Sequence, residues 1–348
     1  MLLTRKGLAL SRNFSNPKVD FNGKSILVTG GTGSFGQAFI KEVVRRFEPA
    51  RLIVFSRDEL KQYEMSRDPL LKGNKAMRFF IGDVRDEARL EMALRDVEIV
   101  IHAAALKQVS AAEYNPFECI RTNVIGAQNI VQACSRTKVR KVIALSTDKA
   151  VSPINLYGAS KLASDKIFIA SNSMTGKDGT RFSVVRYGNV AGSRGSVVPL
   201  FKELVGAGAK SLPVTDARMT RFWIRLDQGV NFVMSSLIGM RGGEVFVPKL
   251  PSMRITDLCE AMAPGLPIDV VGIRPGEKLH ESLITADDAR NTRDCGDHYV
   301  IHPSFAYWLD GTGPAGRPVD ERFAYASDTN EEWLGTTELR EMLARDKA

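Results

Sequence analysis

The stretch Ser25-Ile-Leu-Val-Thr-Gly-Gly-Thr-Gly-Ser-Phe-Gly36 decides the fold of this chain. Its first five residues are a short apolar run with β-branched side chains, which is typical of a buried parallel strand. Gly30, Gly33 and Gly36 follow, and residues 37–47 have the pattern of a helix. The glycines let the backbone approach a pyrophosphate, and the helix N-terminus offers it free N–H groups. This stretch therefore predicts a dinucleotide-binding α/β fold.

Further apolar runs continue the alternation of strands and helices. Strands are predicted at residues 52–55, 79–81, 99–101, 141–145 and 183–187, and helices at residues 117–137 and 156–175. This order predicts a doubly wound parallel sheet of the Rossmann type. After Asn189, proline and glycine punctuate shorter elements, which indicates a smaller C-terminal α/β substrate domain. We therefore predict an N-terminal extension (1–20), a cofactor-binding Rossmann domain (21–189) and a mainly substrate-binding domain (190–348).

Acid and base side chains crowd the segment that follows the fifth strand. Thr147, Asp148 and Lys149 come directly after it, and ligands bind outside the carboxyl ends of such strands. Tyr157 and Lys161 lie one turn apart on the next predicted helix and share a face. A nearby lysine favours the ionised tyrosine, which can take a proton from a sugar or alcohol hydroxyl. We predict that these five residues are catalytic, with a surface ion pair as the alternative for Asp148 and Lys149.

The end of the second strand helps to choose the cofactor. Ser56 and Arg57 stand where NAD-binding folds usually carry an acid for the ribose 2′-hydroxyl, whereas an arginine accommodates the 2′-phosphate of NADP. Lys61 follows one helical turn later, so we predict NADP; the alternative is that Asp58 turns inward and NAD binds. The predicted cofactor-binding residues are Gly30, Thr32, Gly33, Ser34, Phe35, Gly36, Ser56, Arg57, Lys61, Asp83, Val84, Ala103, Ala104, Ala105, Tyr157 and Lys161.

Together these motifs resemble those of the extended short-chain dehydrogenase/reductases. More narrowly, they resemble the soluble UDP-N-acetylglucosamine 4,6-dehydratases that invert C5, the type that starts pseudaminic acid pathways. The matching segments are residues 29–36, 82–85, 103–109, 123, 146–149, 157–161, 186–190 and 274–278, and the resemblance extends over roughly residues 21–325. Lys149 replaces the glutamate of non-inverting relatives, and Tyr157 replaces the methionine of membrane-anchored ones. Gln108 departs from the histidine that many relatives carry.

The resemblance implies an NADP-dependent lyase, and the acid and base residues suggest how it would work. Tyr157 would take the proton of the sugar C4 hydroxyl, Thr147 would position that hydroxyl, and Lys161 would lower the tyrosine pKa and hold the nicotinamide ribose. Lys149, made neutral by burial or neighbouring cations, would remove the C5 proton and later return it from the opposite face. Asp148, protonated, would give a proton to the departing C6 hydroxyl. The tightly bound cofactor would be regenerated in each turnover.

The resemblance also implies where the nucleotide sugar binds. Arginine suits a diphosphate because its planar fork matches phosphate geometry, and Glu277 could accept from the uridine ribose. The predicted substrate-binding residues are Lys107, Asn123, Asn189, Arg194, Val198, Thr220, Arg254, Arg274 and Glu277. Relatives of this kind form dimers or hexamers, so a homo-oligomer is expected.

Composition limits the other classes of function. The 348 residues are 44% hydrophobic and 25% charged, as in ordinary globular proteins. The net charge of +8 comes from basic residues scattered among acids, so no nucleic-acid partner is predicted. The four cysteines and four histidines lack metal or disulfide spacing, so we predict free thiols and no metal.

The first twenty residues and the absence of long apolar runs bear on location. Residues 1–18 contain no acid and loosely resemble a transit peptide, but we expect an extended start or a flexible arm. No stretch has about 18 uninterrupted apolar residues, so no membrane span is predicted. We expect a cytoplasmic protein.

Two other functions remain open from the sequence. A nucleotide-sugar 4-epimerase on the same scaffold would need Tyr157 and Lys161 but has no use for Asp148 with Lys149. A non-enzymatic NADP-binding protein would typically lose the Tyr-x-x-x-Lys pair or degrade the glycine loop, and both are intact here.

Overall fold

A computed structural model describes residues 12–176, 178–193, 195–306 and 315–345 of the chain. The strands are β1 (Ser25–Thr29), β2 (Arg51–Ser56), β3 (Met77–Ile81), β4 (Ile99–His102), β5 (Lys141–Thr147), β6 (Arg181–Tyr187), β7 (Asn189–Val190), β8 (Leu212–Val214), β9 (Thr220–Ile224), β10 (Val245–Pro248), β11 (Ser252–Arg254), β12 (Ile268–Val270), β13 (Ser282–Ile284), β14 (Thr292–Asp294), β15 (His298–Ile301), β16 (Arg317–Pro318) and β17 (Tyr325–Ala326).

The helices lie mainly between the parallel strands. They are α1 (Ser34–Arg46), α2 (Glu59–Ser66), α3 (Glu87–Ala93), α4 (Val109–Tyr114), α5 (Pro116–Ile120), α6 (Gly126–Ser135), α7 (Leu156–Ser171), α8 (Val197–Gly206), α9 (Leu226–Gly239), α10 (Ile255–Met262) and α11 (Thr336–Arg345). A π-helical turn spans Arg121–Ile125, and 3₁₀ turns span Asp148–Ala150 and Ala286–Asn291. No helix in the described ranges is long and apolar enough to cross a membrane.

The central sheet confirms the predicted doubly wound fold. Its ten strands run in the order β16-β14-β15-β10-β6-β5-β4-β1-β2-β3. Strands β1 to β6 are parallel, and the order reverses between β1 and β4, which pair in register from Ile26 with Ile99. Ligands of open α/β sheets bind at such a reversal, outside the carboxyl ends of the strands. The topology thus brings the loops after β1 and β4 to one crevice.

The chain after residue 190 contributes to the same sheet. β10 pairs parallel with β6, and β15, β14 and β16 extend the sheet in antiparallel fashion. Smaller sheets, β11-β9-β7, β12-β8 and β13-β17, stand apart from it. Two further hydrophobic clusters, one around Trp223 and one around Phe201, support this part. The C-terminal part therefore has its own small layers and also completes the edge of the large sheet.

The N-terminal segment from residue 12 lies on the core, so the expected flexible arm is wrong for residues 12–20. Phe14 is buried, with its ring centroid 5.2 Å from that of Phe232 in α9. Arg12 forms an ion pair with Glu332 at 2.6 Å, and its carbonyl accepts from Gln228. The burial of Phe14 and the ion pair of Arg12 explain why this segment packs against the core. The expectation for residues 1–11 lies outside the described residues.

Candidate active site

A cavity of about 560 Å³ opens at the carboxyl ends of strands β1 to β6. Every predicted cofactor-binding residue lines it, together with Thr147, Lys149, Lys107 and Asn189. The cavity also has lining residues outside the predicted motifs, among them Thr122 and Ser193, and two motif residues to which no role was given, Ser146 and Tyr187. One continuous crevice therefore joins the glycine loop to the acid and base residues.

The glycine loop is shaped by contacts that exclude side chains. Gly30 has φ +64°, and a Cβ there would lie 2.9 Å from the backbone of Ala104. A Cβ on Gly36 would lie 2.5 Å from the Cα of Gly31. The loops after β1 and β4 thus touch, and α1 begins at Ser34 with its N-terminal N–H groups beside the cavity. This cradle fits the phosphates of a dinucleotide, which bare backbone and a helix N-terminus hold best.

At the end of β2, Asp58 caps the next helix and also lines the cavity beside Ser56 and Arg57. Its carboxylate caps α2 by accepting from the Lys61 N–H at 2.9 Å, and it also pairs with the Lys61 ammonium. Arg57 lies over the cavity edge, with Nη1 3.4 Å from Asp83. Burial acts to raise the pKa of Asp83, but hydrogen bonds from Arg85 outweigh it and lower that pKa. Two cations therefore stand at the cavity edge next to Ser56.

The acid and base residues sit where β5 ends. Thr147 donates its hydroxyl to Asp148 Oδ1 at 2.8 Å, and Lys149 Nζ lies 3.2 Å from the same oxygen. Asp148 is buried behind the cavity lining, while its two neighbours line it. Its other oxygen, Oδ2, has no hydrogen-bond partner among the described residues. The pair is therefore not the surface ion pair that the sequence left open.

Burial or neighbouring cations were expected to lower the Lys149 pKa, but the structure indicates the opposite direction. Burial acts to lower the Lys149 pKa, but the charges of Asp148 and Glu281 outweigh it and raise that pKa well above the ordinary value. Glu281 Oε1 lies 3.0 Å from Lys149 Nζ, which completes a buried cluster of two carboxylates around one ammonium. The proximity of carboxylates, which the sequence could not reveal, explains the difference.

The tyrosine also differs from expectation. Burial raises the pKa of Tyr157 to about 12, and the Lys149 charge and a Thr147 hydrogen bond reduce that rise only in part. Lys161 was expected to supply the lowering charge, but burial lowers its own pKa, against the opposing charge of Asp165. The Lys149 charge therefore favours the phenolate of Tyr157, and the role expected of Lys161 stays a prediction.

Beneath the cavity, Asp165 anchors the Tyr-x-x-x-Lys helix to the sheet. It accepts the Ser146 hydroxyl at 2.6 Å and lies 3.6 Å from Arg186 Nη2. Burial raises its pKa, although Arg186 and Lys161 oppose this. His102, which ends β4, is buried and accepts or donates a hydrogen bond with Thr29 at 2.9 Å. Burial lowers the His102 pKa to about 3, so this ring is a neutral part of the core.

Glu281 is a functional candidate that the sequence did not indicate, whereas Arg221, next to Thr220, was a weaker candidate for substrate binding. Glu281 stands immediately before β13. Arg221 lies in β9, and its guanidinium donates hydrogen bonds to the carbonyls of Lys278 and Leu279. The only local signal for Glu281 was an acid just ahead of a short apolar run near the 274–278 motif. Its approach to Lys149 depends on how the C-terminal part folds back.

The predicted substrate residues divide into two groups. Lys107 and Asn189 line the cavity. Asn123 instead lies in the π-helical turn, where its amide bonds the Leu106 backbone at 2.8 and 2.9 Å and the Ser160 hydroxyl at 2.9 Å. It therefore shapes the loop that carries Lys107.

The other predicted substrate residues lie away from that lining. Val198 is fully buried in a hydrophobic cluster, and Thr220 bonds His280 and Ser327, so neither side chain faces the cavity. Arg274 is exposed, and Arg254 lies 5.1 Å above the ring of Trp333. Glu277 lies 3.9 Å from Arg221. Arg194 lies outside the described residues.

No metal-binding arrangement is found in the part of the chain that the structure describes. There, no group of three or more His, Cys, Asp or Glu side chains is placed to hold an ion. The four cysteines are free.

Comparison with known proteins gives this geometry a family. Residues 26–303 match the family described as polysaccharide biosynthesis protein. The chain belongs to this family. A protein from Campylobacter jejuni subsp. jejuni serotype O:23/36, strain 81-176, is similar over nearly the whole length. It is 54% identical over 330 residues, covering 93% of this chain and 98% of its own, and is named "UDP-N-acetylglucosamine 4,6-dehydratase (inverting)".

Two further proteins are similar to this chain over most of its length. The solved structure "Pen from Bacillus thuringiensis" is 34% identical with a TM-score of 0.85, covering 94% of this chain and 98% of that one. A protein of Rickettsia canadensis, strain McKiel, is 42% identical over 292 residues, covering 81% of this chain and 83% of its own, and is named "UDP-glucose 4-epimerase". The predicted membership in the extended short-chain dehydrogenase/reductases is thereby confirmed.

Proposed function

We propose that the protein removes water from UDP-N-acetylglucosamine between C5 and C6 with inversion at C5. The product would be UDP-2-acetamido-2,6-dideoxy-β-L-arabino-hex-4-ulose. The observation that carries the proposal is that Asp148 and Lys149 stand with Tyr157 in one buried group beside the dinucleotide cavity. The name of the Campylobacter relative supports the choice of substrate. This reaction would supply a pathway of the pseudaminic acid type.

We propose NADP as the cofactor. Arg57 and Lys61 lie at the cavity edge where the 2′-phosphate would sit, and Asp58 is occupied in capping α2. A nicotinamide bound there would supply the hydride acceptor for C4 and the hydride for C6. The protein residues from 21 to 189 would hold this cofactor, and those from 190 to 348 would mainly hold the nucleotide sugar. Assembly into a dimer or hexamer stays a prediction.

The residues can move each proton that the reaction requires. Tyr157 takes the C4 hydroxyl proton, with Thr147 holding that hydroxyl and Lys149 opposing the high tyrosine pKa. The C4 ketone acidifies the C5 proton, which Lys149 removes as an amine. Asp148, as the acid, protonates the leaving C6 hydroxyl. The proton that Lys149 must lose and the one that Asp148 must gain can be the same, because the two groups are 3.2 Å apart.

Proton NMR of the purified protein with UDP-N-acetylglucosamine in heavy water tests the proposal. A C6 methyl, a C4 ketone or its hydrate, and deuterium at C5 in the L-arabino configuration are expected. Lys149→Met should abolish the deuterium exchange at C5, whereas Lys138→Met, which alters an exposed ion pair with Asp96, should retain the parent rate. Unchanged sugar in the presence of added NADP would refute the substrate assignment.

A 4-epimerase is the second candidate, because the Rickettsia relative carries that name. In the same NMR experiment an epimerase would keep the C6 hydroxyl and invert C4. The Lys149→Met variant of an epimerase would keep part of its activity, since epimerisation needs Tyr157, whose pKa rises without Lys149, but no base at C5. The buried Asp148–Lys149 pair favours the dehydratase.

A further inference from the structure

We propose that Glu281 decides whether Lys149 is an ammonium or an amine, and is thus a positioning residue for the acid and base pair. The inference rests on the proposed function for the role of that pair in the reaction. Its basis is the geometry around one nitrogen. Lys149 Nζ lies 3.0 Å from Glu281 Oε1 and 3.2 Å from Asp148 Oδ1.

Both carboxylates are almost completely enclosed. The side chains of Asp148 and Glu281 are each 1% exposed, while that of Lys149 is 25% exposed toward the cavity. Ion pairs enclosed in this way are little screened by water. Each carboxylate therefore strongly stabilises the protonated form of Lys149, and the loss of either negative charge weakens this stabilisation.

The remaining charged groups around Glu281 come from β9 and from the segment before β13. Lys278 Nζ lies 3.8 Å from Glu281 Oε2, and Arg221 interacts with both Glu281 and Lys149. Glu277 lies on the far side of Arg221 at 3.9 Å. Lys149 also interacts with the phenol of Tyr157. Cations thus outnumber anions around Glu281, but Asp148 is the anion that shares Lys149 with it.

The two carboxyl groups have different parts in this cluster. Burial raises the pKa of Glu281, and the charge of Asp148 adds to the rise, while Lys149 and Arg221 oppose it. When Glu281 is protonated, Lys149 faces a single carboxylate, and its proton can pass to Asp148 Oδ1. That shift creates the amine and the carboxylic acid together, with no change in the number of protons. When Glu281 is ionised, it stabilises the ammonium and opposes the shift.

The backbone holds Glu281 in a fixed place. Its N–H donates to the Ser327 hydroxyl at 2.9 Å, and the Ser327 N–H donates to its carbonyl at 2.8 Å. The Ser327 hydroxyl is bonded in turn to Thr220. The C-terminal part of the chain therefore fixes the backbone of Glu281, and so places its carboxylate beside Lys149, which follows strand β5.

The test measures Lys149 directly and needs no sugar. The full-length protein is treated with an amine-selective acylating reagent over a range of pH, and labelling of Lys149 is followed by mass spectrometry. Glu281→Gln should lower the pH of half-maximal labelling by about one unit, since a neutral amide replaces a close opposite charge. Glu244→Gln is the matched control, because Glu244 is also buried but bonds Ser183, whose strand partner Ile143 precedes Thr147 by four residues, and it should leave the titration unchanged.

The dependence of C5 exchange on pH gives the second readout. Exchange by the parent should decline as rising pH ionises Glu281, and Glu281→Gln should lose this decline. An unchanged Lys149 titration in Glu281→Gln would overturn the inference. If that variant fails to fold, Glu281→Asp, with its carboxylate drawn back, should shift the titration in the same direction by less. A shifted titration without sugar conversion would support the inference and count against the proposed function alone.

Discussion

A methyl group at position 36 would have no room in the glycine loop. The added Cβ would lie 2.5 Å from the Gly31 Cα and 2.6 Å from the Gly30 carbonyl oxygen, and both are backbone atoms that cannot swing aside. We expect Gly36→Ala to weaken NADP binding about tenfold or more, because relieving such overlap costs about 1–3 kcal/mol and shifts the phosphate cradle. Fluorescence titration with NADP and NAD measures the effect.

Gly206 supplies the matched control for that measurement. It ends α8, and a Cβ there would meet nothing within 4 Å. Gly206→Ala should keep the parent affinity and should not reduce stability, because alanine is the better helix former. Equal affinities for the two alanine variants would contradict the role assigned to the loop.

Among single residues, those of the cofactor cleft could be predicted because their signals are local. Gly30 to Gly36 occupy one strand–turn–helix unit, and Ala103 follows a strand that the alternation had already placed. The protonation of Lys149 could not be predicted, since it depends on Glu281, which is 132 positions away in the chain and close only in space. Charges brought together by tertiary folding leave no spacing rule in a sequence.

At the scale of elements, the Asn155 side chain has two contacts at the start of α7. Asn155 accepts the Gly158 N–H at 2.7 Å and donates to the Gly276 carbonyl at 2.7 Å. It therefore caps the helix of Tyr157 and also ties that helix to the 274–278 loop. We expect Asn155→Ala to destabilise the protein by about 1 kcal/mol through the lost cap, and to raise KM for the nucleotide sugar because the loop is released.

Asn155→Asp separates the two functions of that residue. The carboxylate keeps the acceptor for Gly158 but loses the donor to Gly276. Urea unfolding should show a smaller loss of stability than for the alanine variant, while the KM for the nucleotide sugar still rises. Identical stability for the two variants would show that the cap contributes nothing measurable.

The predicted and observed helices differ most where α-helical and π-helical turns adjoin, within residues 117–137. The single helix expected over residues 117–137 is divided by the π-helical turn Arg121–Ile125. The extra residue of that turn directs Asn123 toward Leu106 and Ser160. Such turns often mark functional sites, but they leave the apolar pattern almost unchanged, so the sequence gives no sign of them.

At the scale of the whole molecule, the parallel half of the sheet was predictable and its extension was not. Long apolar runs with clear turns specify β1 to β6. β14 and β16 are short and partly polar, and they join the sheet only because β15 pairs with β10. The packing of residues 12–21 likewise depends on α9, more than 200 positions further along the chain.

His298 connects these distant parts, and its titration tests how they hold together. Its ring lies 5.8 Å from that of Phe232 in α9 and 6.2 Å from that of Phe246 in β10. Burial acts to lower the His298 pKa, but the hydrogen bond to Asp297, 2.6 Å long, and interactions with Cys295 outweigh it and raise the pKa to about 9.

A raised histidine pKa means that the folded state holds the proton more tightly than the unfolded state does. The resulting stabilisation is complete below the ordinary pKa of 6.5 and is lost as pH rises toward about 9. We expect the thermal midpoint of the parent to fall across this interval relative to that of His298→Gln, which has no proton to lose. Scanning calorimetry of both proteins over that range measures the difference. Parallel curves would show that the Asp297 contact does not hold the proton, and that the junction of α9, β10 and β15 depends on ring packing alone.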